Sequence, residues 1–235
     1  HLIIVAAHSI PKQYPHPTTT DNSWHLEPHQ LLHASPKTFE SHVRAGLGTL
    51  QSTPPGTSIL LFSGGETRPR AGPRTEGLGY YLVAEKLGIP ADYKRWINTE
   101  IYSLDSLQNL LFSLCRFYEL TGAYPEKITV VSYEFKRKRF LERHAKYAGL
   151  NPKQVRFIGV DPEDKAWTKV LQGFEDQTWE QFGEDSAGCT GDLGTKRRKR
   201  GFGRRGIGNL RSCPAIRELL MWCGDSEVYP GNLPW

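Results

Sequence analysis

The chain of 235 residues is 38% hydrophobic and carries six Trp and ten each of Tyr and Phe, enough apolar mass for a full core and a composition that excludes a disordered chain. Its formal charge of +5 and pI near 9.0 point to a polyanion partner, yet seven of the cations lie between Lys196 and Arg205. Without them 23 basic residues face 25 acidic ones, so the body is near neutral and a dedicated nucleic-acid binder is disfavoured, except through that run.

Short β-rich runs alternate with amphipathic stretches in chain order. The strands are predicted at 2–7, 58–65, 92–100, 127–132 and 154–160, and the helices at 37–51, 74–87, 104–121, 136–149 and 163–182. The helix from 104 is the clearest, since Leu107, Leu110, Leu111, Leu114 and Tyr118 fall at helical spacing on one face. Such alternation predicts βαβ units in a three-layer α/β/α, Rossmann-like sandwich with a mostly parallel sheet of about five strands. The organisation expected is an α/β domain over 1–182, a basic flexible loop over 183–208, and a C-terminal extension over 209–235 that packs on the same domain.

In such sheets ligands collect outside the carboxyl ends of the strands, where the strand order reverses. His8 ends the first strand, either as an acid or base facing the crevice or as a satisfied structural histidine. Ser63-Gly64-Gly65 ends the second, and two glycines there suit either a plain turn or a backbone cradle for an anion. The neighbouring Arg68, Arg70 and Arg74 favour the anion. Pro73 is placed in the first turn of the following helix, with Glu76 either offsetting the helix dipole or orienting a cationic group.

Glu100 ends the third strand. Ser103 or Asp105 serves as the next helix cap; alternatively Asp105 and Asn109 turn into the crevice with Glu100, where two carboxylates and an amide would position a water, a hydroxyl or a divalent metal. Ser132 ends the fourth strand, and the helix after it opens on Lys136, Arg137, Lys138 and Arg139. Cations at a helix start oppose the macrodipole, which an anionic ligand at Lys136 and Arg139 would offset; the alternative is a solvated charge run.

Other patterns carry less. His25, His29 and His33 recur every four residues without a carboxylate at metal-triad spacing. Gly201 to Gly206 matches GxGxxG, but no strand precedes it and it is a decoy for dinucleotide binding. The four cysteines, Cys115, Cys189, Cys213 and Cys223, lack CxxC or zinc spacing and read as reduced thiols of an intracellular protein, cytoplasmic or nuclear. No apolar run approaches the roughly 20 residues of a membrane helix.

Taken together, FSGGETR with Gly72-Pro73 and Glu76, Glu100 followed by Asp105-Ser106 and Asn109, and VVSYEFKRKRF resemble the YdcF-like family, domain of unknown function 218, most closely its fungal branch. The resemblance covers about 1–161. It implies a site of Ser63, Gly64, Gly65, Glu76, Glu100, Asp105, Asn109, Ser132, Lys136 and Arg139, and a nucleotide-like cofactor such as S-adenosylmethionine. Two departures stand out: Ala-Ala-His ends the first strand in place of a glycine-containing loop, and Lys136 stands where bacterial relatives usually have His. The expected function is to bind, and to hydrolyse or transfer a group on, a phosphorylated or nucleotide-like small molecule, with Glu100, Asp105 and His8 acting on it. The rivals are a non-catalytic nucleotide or S-adenosylmethionine binder, and docking of a partner through 196–205.

Overall fold

The computed structural model describes residues 1–14, 17–31, 35–200 and 212–235. The chain enters on β1 (Leu2–Ala6), whose five residues are all buried, and continues through α1 (Ser35–Gln51), β2 (Ile59–Ser63) and α2 (Glu76–Leu87). A helical turn, α3 (Ala91–Lys94), precedes β3 (Ile97–Glu100); α4 (Ser106–Thr121) and β4 (Ile128–Ser132) follow. Next come α5 (Arg137–Arg139), a π-helical turn (Phe140–His144), α6 (Ala145–Tyr147) and β5 (Val155–Gly159). The chain closes with α7 (Lys165–Glu184), α8 (Gly191–Lys199) and α9 (Arg217–Met221).

The strands form one parallel sheet in the order β3-β2-β1-β4-β5. Side chains alternate across a strand, and β1 shows the consequence. Leu2, Ile4 and Ala6 enter a core with Leu107, Leu110, Leu111 and Leu114 of α4, whereas Ile3, Val5 and Ala7 enter a second core with Phe39 and Val43 of α1 and Tyr80 and Val83 of α2. Two cores on opposite faces of one sheet make the three-layer sandwich that the alternation predicts. Strand order reverses between β1 and β4, so the loops after them, carrying His8 and Lys136, flank the crevice at the switch point.

Several local expectations are corrected. Residues 92–94 are helical because Pro90 opens a turn there, and β3 begins only at Ile97. Pro73 lies outside α2; Thr75 is the N-cap and accepts the amide hydrogen of Leu78. Residues 183–208 do not form a continuous loop: 191–199 are helical, and Arg197 pairs with Asp105 while Arg200 donates to the carbonyl of Leu104. Cations in the last turn of a helix complement its dipole, which favours α8 at this end of the chain. The GxGxxG match at 201–206 lies outside the described residues.

The cysteines are not reduced thiols. Cys115 bonds to Cys213 and Cys189 to Cys223, at sequence separations of 98 and 34 that leave no local spacing signal. These bonds fix the C-terminal segment to α4 and to the start of α8, and Cys213, Ile216, Leu219 and Tyr229 join the core on the α4 side. No helix among the described residues is long and apolar enough to cross a membrane.

Candidate functional site

A cleft of about 400 Å³ opens at the carboxyl ends of the strands. Its floor holds Ala6, Ala7 and His8 after β1, and its walls carry Glu76, Asp105, Asn109, Lys136 and Arg139. The far wall is built by α7 and α8 through Leu171, Phe174, Glu175, Phe182, Lys196 and Arg200. Thus the cleft joins six of the residues expected from sequence to a segment from which no chemistry was read.

His8 is the hub. Its ring stacks on Tyr133 at 4.7 Å, its Nε2 lies 3.2 Å from Ser132 Oγ and its Nδ1 lies 3.3 Å from Lys136 Nζ. Burial, reinforced by Lys136 and its fellow cations, pushes its pKa well below the ordinary histidine value, so it is neutral at pH 7. A charged ammonium can only donate; Nδ1 then accepts, and Nε2–H donates to Ser132. In that state His8 does not activate Ser132, whose hydroxyl is buried beneath the cleft.

Arg68, buried after β2, anchors this hub. It donates to the carbonyls of His8 and His25 at 2.8 and 3.0 Å and pairs with Glu27 at 3.2 Å. Glu76 accepts from the Thr67 hydroxyl and lies 3.8 Å from Arg68. His29 lines the cleft, His25 meets Arg68 through its carbonyl, and His33 lies outside the described residues. Among the described residues no three His, Cys, Asp or Glu side chains are arranged to hold a metal.

Glu100, Asp105 and Asn109 do not converge on the cleft as one group. Glu100 Oε2 accepts from Ser63 Oγ at 2.6 Å, and Oε1 from the amides of Tyr102 and Ser103 at 2.5 and 3.0 Å. Burial raises its pKa, while Ser103, Ser63 and the loop amides oppose the rise. It is 1% exposed and does not reach the cleft wall, so the geometry makes it the clamp that ties β2 to the loop after β3. Asn109 donates to Ser103 Oγ at 2.8 Å and to the Ser63 carbonyl at 3.0 Å, completing that clamp from α4.

Asp105 is the α4 cap: one oxygen accepts from Gln108 N at 3.0 Å and the other pairs with Arg197. Burial opposes its ionisation, but the Arg197 guanidinium outweighs this and holds the carboxyl at about 2. Both readings of Asp105 thus have part of the truth, since it caps the helix and lines the cleft.

Gly64 and Gly65 do not cradle an anion. Their N–H groups already donate to the carbonyls of Glu100 and Ser103, at 3.0 and 2.7 Å. The lack of a side chain serves close packing instead, because a Cβ on Gly65 would lie 2.6 Å from Ser103 O. Gly65→Ala is expected to cost about 1–3 kcal/mol in urea denaturation, as overpacking does; a neutral result would return the glycine to a ligand role.

The cations divide into two groups. Arg139 is held bidentately by Glu175 at 2.5 and 2.7 Å, and Arg68 and Arg197 have Glu27 and Asp105. Lys136, Lys196 and Arg200 make no ion pair among the described residues, although all three line the cleft. The wall carboxylate of Asp192 is bonded to Gln181 at 3.1 Å instead. Desolvation, with Arg139 beside it, lowers Lys136 to about 7.

Sequence reading missed Glu175, and it placed Lys196 and Arg200 in a docking run at 196–205 rather than in this cleft. The signal for Glu175 was present: Leu171, Glu175 and Phe182 share an inward helical face of α7, and a carboxylate on a buried stripe requires a partner.

No family model matches the chain, and no solved structure matches it. The chain is similar to the uncharacterized protein YOR238W of Saccharomyces cerevisiae, with 28% identity over 253 residues that cover 85% of this chain and 82% of the yeast protein.

Proposed function

We propose that this chain is a YdcF-like domain whose cleft binds a phosphorylated, nucleotide-like small molecule. One observation carries the reading: Lys136, Lys196 and Arg200 line a single cleft with no ion-pair partner among the described residues, while the carboxylates of that cleft are engaged by Arg68, Arg139, Arg197 and Gln181. Cations gathered in a recess repel one another and lose hydration, and a multivalent anion reverses both costs. These three unpaired cations disfavour a sulfonium or a metal cation as the primary ligand, so phosphoryl compounds are preferred over S-adenosylmethionine. Thermal unfolding tests this with pyrophosphate, ADP, S-adenosylmethionine and magnesium chloride. The phosphoryl compounds, at about 100 times their Kd, add about 2.7 kcal/mol, or roughly 5–10 °C; a panel without any phosphoryl response overturns the reading.

Affinity should depend on pH in a defined direction. Lys136 is charged below about 7, so its contribution is complete there and declines as the pH rises further. A terminal phosphate gains its second charge near pH 6, which places the strongest binding at about pH 6–7. The ligand-free protein follows the opposite trend. Folded Lys136 releases its proton near 7 whereas the unfolded side chain keeps it to 10.5, so the unfolded state binds more protons in between and stability from this group rises with pH. Calorimetric titration of ADP from pH 6 to 9 checks the first trend. Lys136→Arg, charged throughout, should flatten the decline; affinity that grows toward pH 9 in the wild type contradicts the assignment.

Turnover is a second reading, favoured by the His8–Lys136 contact at the cleft floor. Of the groups expected to act, Glu100 is sealed in its clamp and Asp105 in its ion pair, which leaves His8 and, facing the ligand, Lys136. A lysine near pH 7 is suited to proton transfer. Product formation from a bound nucleoside phosphate, abolished by Lys136→Gln, supports turnover; stable binding with no product supports a sensing domain.

A further inference from the structure

Part of the cleft lining is aromatic rather than charged. Phe174 on α7 is 52% exposed, although large apolar side chains on a helix normally turn inward. Its ring lies 5.6 Å from that of His29, which belongs to the short helical turn Pro28–Gln30, and both side chains line the same cleft. Phe135, which stacks on Tyr133 at 4.8 Å, borders it from the β4 loop. Gln177 and Gln181 add amides that both donate and accept to the same lining; Gln181 uses its Nε2 on Asp192.

We infer that this aromatic lining is a base-binding subsite, with Phe174 and His29 taking the face of a planar heterocycle and the glutamines its edge, so that the ligand is a nucleoside phosphate rather than a sugar phosphate. The inference rests on the phosphate site proposed above. Aromatic rings exposed beside hydrogen-bonding amides, in a cleft that also holds three cations without ion-pair partners among the described residues, match a molecule that is flat and polar-edged at one end and anionic at the other. A sugar phosphate would leave the rings uncovered.

Calorimetric titration of the full chain with AMP and with ribose 5-phosphate, which share one phosphate and one ribose, isolates the base. AMP is expected to bind at least about tenfold tighter, as stacking of one base on one ring provides. Phe174→Ala should cost AMP about that factor and ribose 5-phosphate less than twofold, and Phe174→Trp should restore AMP. Because Phe174 is exposed, the unfolding temperature without ligand should not move. Equal affinity for the two compounds, or equal losses in Phe174→Ala, overturns the base subsite while leaving the phosphate site standing; binding of neither compound overturns both.

Discussion

Lys136→Met abolishes the ligand-dependent rise in unfolding temperature without lowering the stability of the ligand-free protein. Lys136 follows β4 at the switch point of the sheet, and among the described residues its ammonium is fastened by His8 Nδ1 at 3.3 Å and by the faces of Tyr133 and Phe135 at 5.2 and 5.9 Å. Those contacts hold the side chain in the cleft but do not neutralise it. In the complex its loss removes one partner of a largely desolvated charge pair, which costs about 2–5 kcal/mol, enough to eliminate a shift worth about 2.7 kcal/mol. Without ligand, methionine keeps most of the packing against the rings and relieves the desolvation and the repulsion from Arg139 that lower Lys136. Removal of Arg44, exposed on α1 and paired with Glu40, serves as the control and should change neither quantity. A Lys136→Met protein that unfolds earlier and still responds fully to ligand would make Lys136 a structural residue.

Glu175→Ala is expected to be the most damaging single change in the cleft, at about 3–5 kcal/mol in urea denaturation. Arg139 and Glu175 are 5% exposed each and meet through two parallel bonds, with the third guanidinium nitrogen on Ser106. Removing the carboxylate leaves a buried guanidinium in a cleft that already holds three cations without an ion pair among the described residues. The defect should therefore be partly repaired by pyrophosphate, because the ligand supplies the missing negative charge. The double change Arg139→Met with Glu175→Leu removes both charges and should recover most of the loss. A loss below about 1 kcal/mol for Glu175→Ala would mean that water reaches the pair and that it is not the keystone between α5 and α7.

How much of this is legible in the sequence depends on the range of the interaction. The parallel sheet is legible because strands buried on both faces must be largely apolar, as LIIVA is throughout and ITVVS is at three of five positions. The leucine stripe of α4 is legible for the same reason at helical period. Which residues follow the strands is legible too, and His8, Glu76, Asp105, Asn109, Lys136 and Arg139 do meet in one cleft. What those residues do there is not. Glu100 and Gly65 look like ligand groups because a buried carboxylate and a glycine after a strand have the same appearance in sequence whether they hold a ligand or a neighbouring loop. The distinction lies in hydrogen bonds across 37 and 38 residues, from Ser63 to Glu100 and from Gly65 to Ser103, which no local pattern encodes. The cysteine pairs and the Arg139–Glu175 bond are equally non-local. The run from Lys196 reads as solvated because its partners, Asp105 and the Leu104 carbonyl, lie more than 90 residues upstream.

Tungstate has the tetrahedral shape and double charge of phosphate and is visible by anomalous scattering, so its position in crystals of the full chain tests the central claim most directly. The account predicts one strong peak within hydrogen-bond reach of Lys136 Nζ, flanked by Lys196 and Arg200, and its loss in crystals of Lys136→Met. Tungstate found only against exposed surface cations, with the cleft empty, would contradict the account.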